Sequence, residues 1–340
     1  MKMNQLNKDI QETIKKENFS GSIIIKRDKD VIFEEAAGFA DKAEQRLNTL
    51  PTRFGVASGC KIFTSAAICQ LVENGLLSFD TQLRECLNIK FDQWDDKVTI
   101  HHLLTHTSGI PDYFDEDEMD DFADLWKQTP MYLLRQPSDF LPLFKEQPMK
   151  SLPGEKFHYN NAGYIVLGMV VEQLTKLSFT DYVSEKIFKK AGMSSSGYFS
   201  MDQLPKETAY GYIQTEEGGY KTNIYSVPIK GGPDGGAYIT APDMIAFWEA
   251  LLNNRLLSKE TTQFLLTPHV KVKEGVQYGF GVWINSKEGI ISKYHVMGYD
   301  PGVSFHSAFY PNSKTLSVVL SNHSSGAFSV MKAAEEILDR

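Results

Sequence analysis

Strand-like runs sit at both ends of this chain and helical periodicity fills its middle, and this arrangement limits the available folds more than any other feature. At the amino end, Ser22–Lys26 and Val31–Glu35 flank the turn-like Arg27-Asp28-Lys29-Asp30, which predicts a β-hairpin. At the carboxyl end, Gly279–Asn285, Gly289–Val296, Val303–Tyr310 and Thr315–Ser321 are rich in β-formers and separated by turn residues such as Pro311-Asn312-Ser313. Between them, helical patterning is expected over Lys61–Leu77, ending at Asn74-Gly75, and over Ile100–His106, the stretch from Met131 to Glu146, Ala162–Lys176 and Phe179–Ala191. Helices are also expected at the two extremes. Asn4–Lys16 carries Leu6, Ile10 and Ile14 on one stripe, and Ala327–Leu338 closes the chain.

Strands at both termini around a helical middle imply an α/β fold of the α+β type, with one antiparallel sheet built from the two chain ends and flanked by helices. With 340 residues the chain exceeds the size at which one core usually suffices. The expected division is a sheet lobe of residues 1–75 and 211–340, an inserted helical lobe of residues 76–210, and a cleft between them suited to a site.

Basic residues number 35 and acidic residues 43, a net charge of −8, so no positive field exists to attract nucleic acid or anionic lipid. The longest wholly apolar run, Ile165–Val171, falls far short of the roughly 20 residues of a membrane helix. Met1–Glu17 is polar and lacks the apolar core of an export signal, so the chain as written reads as cytoplasmic, or as extracytoplasmic if a leader was removed. Cys60, Cys69 and Cys86 lack C-x-x-C spacing and read as buried apolar side chains.

No phosphate-binding Gly-Lys-Ser/Thr occurs, nor any G-x-S-x-G elbow. What does occur is Ser58-Gly59-Cys60-Lys61, placed after the strand-like Phe54-Gly55-Val56-Ala57 and opening a predicted helix. Unpaired amides and a positive dipole at a helix start stabilise an oxygen anion there, and an amine three residues on lies on the same face. A lysine acting as base near neutral pH needs its pKa lowered by about three units, roughly 4 kcal/mol, from its reference near 10.4. A second S-x-x-K, Ser329 to Lys332, lies inside the last predicted helix, where a serine has no reason to face a cleft. Tyr159-Asn160-Asn161 forms Y-x-N on a loop before a helix, whereas the similar Tyr310-Pro311-Asn312 is a hairpin turn.

With these residues in view, the chain resembles the penicillin-binding protein and class C β-lactamase family of serine hydrolases. Further stretches carry the likeness: His101-His102-Leu103-Leu104-Thr105-His106-Thr107-Ser108-Gly109-Ile110, Gly235 to Met244, and Tyr278-Gly279-Phe280-Gly281-Val282-Trp283. The resemblance implies a covalent acyl-enzyme on Ser58, without cofactor or metal. The serine proton would go to Lys61, to Tyr159 as phenolate, or to the two as a unit, and Asn161 would hold Lys61 and a substrate amide. The family's third motif would fall at His295-Val296-Met297, with His295 polarising or steering the substrate. The amides of Ser58 and Gly298 would form the oxyanion hole.

In this register Val296 lacks a substrate-holding hydroxyl, Met297 replaces a glycine, and His295 is a weaker cation than lysine. Poor capture of carboxylates is therefore expected. The implied substrates are D-amino-acid peptides, amides and small esters, with true β-lactamase activity a minor alternative. Another alternative is a ligand-binding or penicillin-sensing module without turnover. A zinc site at His101, His102 and His106 is a further reading, opposed by the missing glutamate of H-E-x-x-H. The acidic run Asp112, Asp115, Glu116, Asp117, Glu118, Asp120 and Asp121 does not match a calcium loop and reads as solvated. Tyr113 is expected to overhang the cleft and contact substrate.

Overall fold

The computed structural model describes residues 2–119 and 123–338. In chain order its principal elements are α1 (Lys2–Lys16), β1 (Gly21–Arg27), β2 (Asp30–Ala37), α2 (Lys61–Glu73), α3 (Asn161–Thr175) and α4 (Ala241–Leu252). There follow β3 (Val270–Lys273), β4 (Val276–Tyr278), β5 (Trp283–Lys287), β6 (Ile290–Asp300), β7 (Val303–Tyr310), β8 (Thr315–Ser321) and α5 (Ala327–Leu338). The eight strands form one antiparallel sheet in the order β2-β1-β8-β7-β6-β5-β4-β3, flanked by helices. The two chain ends meet inside it, with Gly21 opposite Ser321 and Ile24 opposite Val318.

Alternation along the strands assigns the two faces. Ile23, Ile25 and Val319 bury against α1 and α5, with Leu6, Ile10, Ile14, Val330 and Met331. Ile24, Val318, Leu320 and Phe305 face a larger apolar cluster that contains Phe63 of α2, Ile165 of α3 and Phe247 of α4 and continues into the helical region. Phe63 anchors it, its ring edge-on to Phe188 at 5.0 Å and to Phe247 at 4.8 Å. All three cysteines are free and buried. Among the described residues, no helix is long and apolar enough to cross a membrane.

Several expected elements change at their edges. The run from Met131 to Glu146 breaks into short turns over Met131–Leu133, Pro137–Phe140 and Leu141–Phe144, because Pro137 and Pro142 cannot donate in a helix interior. The strand expected from Gly279 starts only at Trp283; Gly281 turns there with φ +70°, and the amide of Gly279 donates to the Val282 carbonyl at 2.9 Å. The acidic run is also corrected in part. Asp112 and Asp115 are buried, because each carboxylate is used internally, whereas Glu116, Asp117 and Glu118 meet solvent; Asp120 and Asp121 lie outside the described residues.

Candidate active site

Ser58 reaches the cleft through a strained turn. Phe54–Gly55 pairs with Tyr238–Ile239, and the Val56 amide donates to the Ala237 carbonyl at 3.0 Å. Ala57 then adopts φ +45°, rare for a residue with a Cβ, and a 3₁₀ turn over Ala57–Cys60 delivers the chain into α2. Ser58 therefore sits one short turn ahead of the α-helix. It is half-exposed between the buried Ala57 and Gly59. Gly59 admits no side chain, since a Cβ there would lie 2.3 Å from the Phe305 ring.

Lys61, the first residue of α2, is only 1 % exposed. Its ammonium donates to Ser58 Oγ at 2.9 Å, to Asn161 Oδ1 at 2.8 Å and to the Asp234 carbonyl at 2.7 Å, which uses all three donors. The ammonium also lies 4.9 Å from the Tyr159 ring centroid, and the Tyr159 hydroxyl is close to both Lys61 and Ser58. Burial disfavours charge on this amine, but Tyr159 and Asp234 outweigh it and its pKa is raised. The sequence argument asked for the opposite shift, and Lys61 is held as a cation. Burial also raises the Tyr159 pKa, with Lys61 opposing it.

The Y-x-N segment is fixed from behind. Asn160 caps α3, accepting from the Gly163 amide at 2.6 Å, while Asp112 accepts from the amides of Asn161 at 2.6 Å and Ala162 at 2.9 Å. Burial pushes Asp112 up to about 7 against the pull of these amides. The Asn161 side chain donates to the Phe114 carbonyl at 3.2 Å, which aims its oxygen at Lys61. His106, in the left-handed region at φ +56°, accepts from the Asn160 amide at 3.0 Å and contacts the Tyr278 hydroxyl at 3.2 Å. Its ring packs 4.4 Å from that of Tyr159.

This removes the zinc alternative on geometry. Both His106 nitrogens are engaged, His102 Nδ1 accepts from the Thr99 amide at 3.2 Å, and His101 packs beside His269 and Phe280. Among the described residues only Asp115, Asp117 and His158 approach closely enough to share an ion, and Lys150 already lies 2.6 Å from Asp115.

On the sheet side, β6 pairs with β5 only as far as His295 opposite Trp283. From Val296 to Asp300 it pairs with β7 alone, leaving one edge open beside Ser58. Gly298 is the residue of closest approach: a Cβ there would lie 2.1 Å from the Val56 carbonyl and 2.8 Å from the Ser58 amide. The glycine expected at Met297 is thus present one residue later, and Val296 packs into the core. His295 does not line the cleft. It is 8 % exposed beside the Trp283 ring, its Nδ1 has no partner, and burial holds its pKa well below the usual range, so it is neutral.

A cavity of about 350 Å³ opens over Ser58 and is lined by Tyr159, Asn161, Asp234, Trp283, Met297 and Asp300, among others. Tyr113 lines it too, but its hydroxyl is spent on the Asp234 carboxylate. The second S-x-x-K lies within α5, and Tyr310 donates to Glu335 at 2.6 Å, so neither decoy enters the site.

Sequence reasoning missed Asp234, Trp283 and Asp300. The signal for Asp234 was the glycine-rich run Gly231-Gly232-Pro233-Asp234-Gly235-Gly236, which lets this loop approach α2 and α3; a Cβ on Gly168 of α3 would lie 2.0 Å from Pro233.

With this geometry in view, the comparison with known proteins is decisive: residues 6–340 match the family described as Beta-lactamase. The chain belongs to the β-lactamase family. This β-lactamase-family chain is similar to a penicillin-binding protein from Bacillus halodurans, with 55% identity, TM-score 0.93 and coverage of 96% of this chain and 99% of that one. An octameric penicillin-binding protein homologue from Pyrococcus abyssi is 29% identical, with TM-score 0.87, over 100% of this chain and 78% of that one. A D-amino acid amidase from Ochrobactrum anthropi SV3 shares the fold at 20% identity, with TM-score 0.80 over 98% of each chain.

Proposed function

We propose that this chain is a serine hydrolase acting through an ester on Ser58, cleaving an amide, a D-amino-acid peptide or a small ester. The supporting observation is the contact of Lys61 Nζ with Ser58 Oγ at 2.9 Å under the Tyr159 hydroxyl. A protonated Lys61 donates to Ser58 and cannot also take its proton. Tyr159 is then the acceptor, acting with Lys61 as one acid–base unit. As Ser58 Oγ bonds to the substrate carbonyl carbon, its proton passes to the Tyr159 oxygen and then to the leaving amine or alkoxide. Water attacks the ester by the reverse route and frees Ser58.

The oxyanion donors follow from strand parity. Pro301 and Gly302 form a two-residue turn that closes on the Asp300/Val303 pair. In an antiparallel hairpin the closing pair is hydrogen-bonded, so the amides of Asp300 and Gly298 turn toward β7 and those of Tyr299 and Met297 turn to the open edge. We therefore assign the second donor, beside the Ser58 amide, to Tyr299 rather than Gly298. Gly298 contributes the close approach. Each such donor is worth roughly 3–4 kcal/mol in the transition state.

The test is turnover of p-nitrophenyl butyrate with intact mass recorded during the reaction. Wild type is expected to show a butyryl adduct that Ser58→Ala lacks, with loss of turnover by at least about 1000-fold. Full activity in Ser58→Ala would sink the proposal. A permanent adduct without turnover would favour a binding module.

A further inference from the structure

The charges lining the cavity over Ser58 are unevenly matched. Of the nearby cations, Lys230 lines it, while Lys61 lies buried behind Ser58. Lys61 has no donor left, and Lys230 reaches out to Thr180 Oγ1 at 3.4 Å and toward Glu172. Three carboxylates line the same space, those of Glu116, Asp234 and Asp300. Glu116 lies in solvent, and Asp234 accepts from the Tyr113 hydroxyl. Asp300 lines the cavity without a hydrogen bond or ion pair among the described residues, in a setting where burial, with Asp234 next, pushes its pKa up to about 7.

Its position is defined by the strand. Asp300 lies two residues beyond Gly298 on the same face of β6, the face on which Gly298 abuts the Ser58 amide. Two strand residues span about 6.6 Å. In an α-amino acyl group the nitrogen lies about 2.5 Å from the carbonyl carbon. An acyl group on Ser58 therefore brings an α-ammonium within reach of the Asp300 carboxylate. The three cavity carboxylates do not come together as an ion-sharing group, whereas a single ammonium needs only one of them. Phe140, Met201, Val227 and Val303 supply an apolar wall for a side chain.

We propose that Asp300 selects substrates bearing a free α-ammonium on the acyl side, so that the cleft takes small α-amino amides or esters with apolar side chains. This deepens the acyl-enzyme reading and rests on it for the orientation of the substrate. A substrate carboxylate placed beside Asp300 gains no such partner and is repelled by its ionised form, so penicillins are not favoured through this contact.

The test measures binding in the Ser58→Ala protein by calorimetry, comparing D-leucine amide with 4-methylpentanamide, which differs only in lacking the amine. D-leucine amide is expected to bind between about 10- and 100-fold tighter, the usual worth of a charge-assisted hydrogen bond. The ratio is expected to collapse toward one in Ser58→Ala/Asp300→Asn. Equal binding of the two amides to Ser58→Ala overturns the assignment, as does a ratio that survives in the double variant. Failure of the acyl-enzyme reading shows separately, as absence of the butyryl adduct, and leaves this binding ratio measurable.

Discussion

At the scale of single residues, the site turns on which group holds a proton. Lys61 was legible as Ser58's neighbour because S-x-x-K on a helix start fixes their separation. Its charge state was not legible, because the groups that raise its pKa, Tyr159 and Asp234, come from segments remote in sequence. If Tyr159 is the acceptor and its pKa is raised, the reactive phenolate grows tenfold per pH unit below that pKa. Acylation rates are then expected to rise with pH through neutrality into the alkaline range, measured by stopped-flow with the butyrate ester. Tyr159→Phe is expected to lose about 100- to 10000-fold and the alkaline limb with it. A flat wild-type profile between pH 6 and 10 excludes this role. His295 gives the contrasting case. The sequence marks it as the one titratable side chain of the third motif, but burial beside Trp283 keeps it neutral and out of the cavity. His295→Gln should lower the melting temperature while kcat/KM for the ester stays within about threefold, since only groups at the reacting atoms alter the transition state directly. A loss comparable to that of Tyr159→Phe would restore it to the chemistry.

At the scale of elements, the sequence carried most where periodicity was long. The last helix over Ala327–Leu338 and the hairpin of β1 and β2 appear where expected. The short strands β3 and β4 did not stand out, because the alternation of Val270–Lys273 lasts only four residues and Val276–Tyr278 is three residues long. The register of the third motif was hidden for a different reason. Which residue of β6 faces Ser58 depends on strand parity and on where β5 stops, and neither is written in β6 itself. Gly298 tests that register. Its Cβ would meet the Val56 carbonyl at 2.1 Å, backbone against backbone, with no flexible side chain to yield. Gly298→Ala is expected to push β6 off the nucleophile turn, cutting ester turnover by at least about 100-fold, the scale of a lost oxyanion donor. It should also lower the unfolding midpoint in urea. Wild-type kinetics in this variant would show that the two backbones do not meet as described.

At the scale of the whole molecule, burial of histidine sets the response to acid. His101 and His323 are lowered to about 4 and His306 to about 3 by burial, while His106 and His295 lie well below the usual range for the same reason. In the unfolded chain these groups take protons near pH 6.5. Between pH 6.5 and 4 the unfolded state therefore binds more protons through them, and stability falls as pH falls. Asp112, Asp234 and Asp300, all raised by burial, act in the opposite sense, gaining protons in the folded state first. The imidazoles outnumber them, so the melting temperature is expected to be lower at pH 4.5 than at pH 6.5. An equal or higher value at pH 4.5 would show that the carboxylates dominate.

The two halves of the proposed catalytic centre are far apart in the gene. Ser58 and Lys61 are made early, whereas Gly298 and the sheet behind it, closed by β8 against β1, come near the end. At ribosomal speeds of about 5–20 residues per second, the interval is on the order of ten seconds or more. Throughout that time the nascent polypeptide carries Ser58 without the strand that packs beside it. On the proposed reading, the reactive centre is complete only once the final strands have been translated.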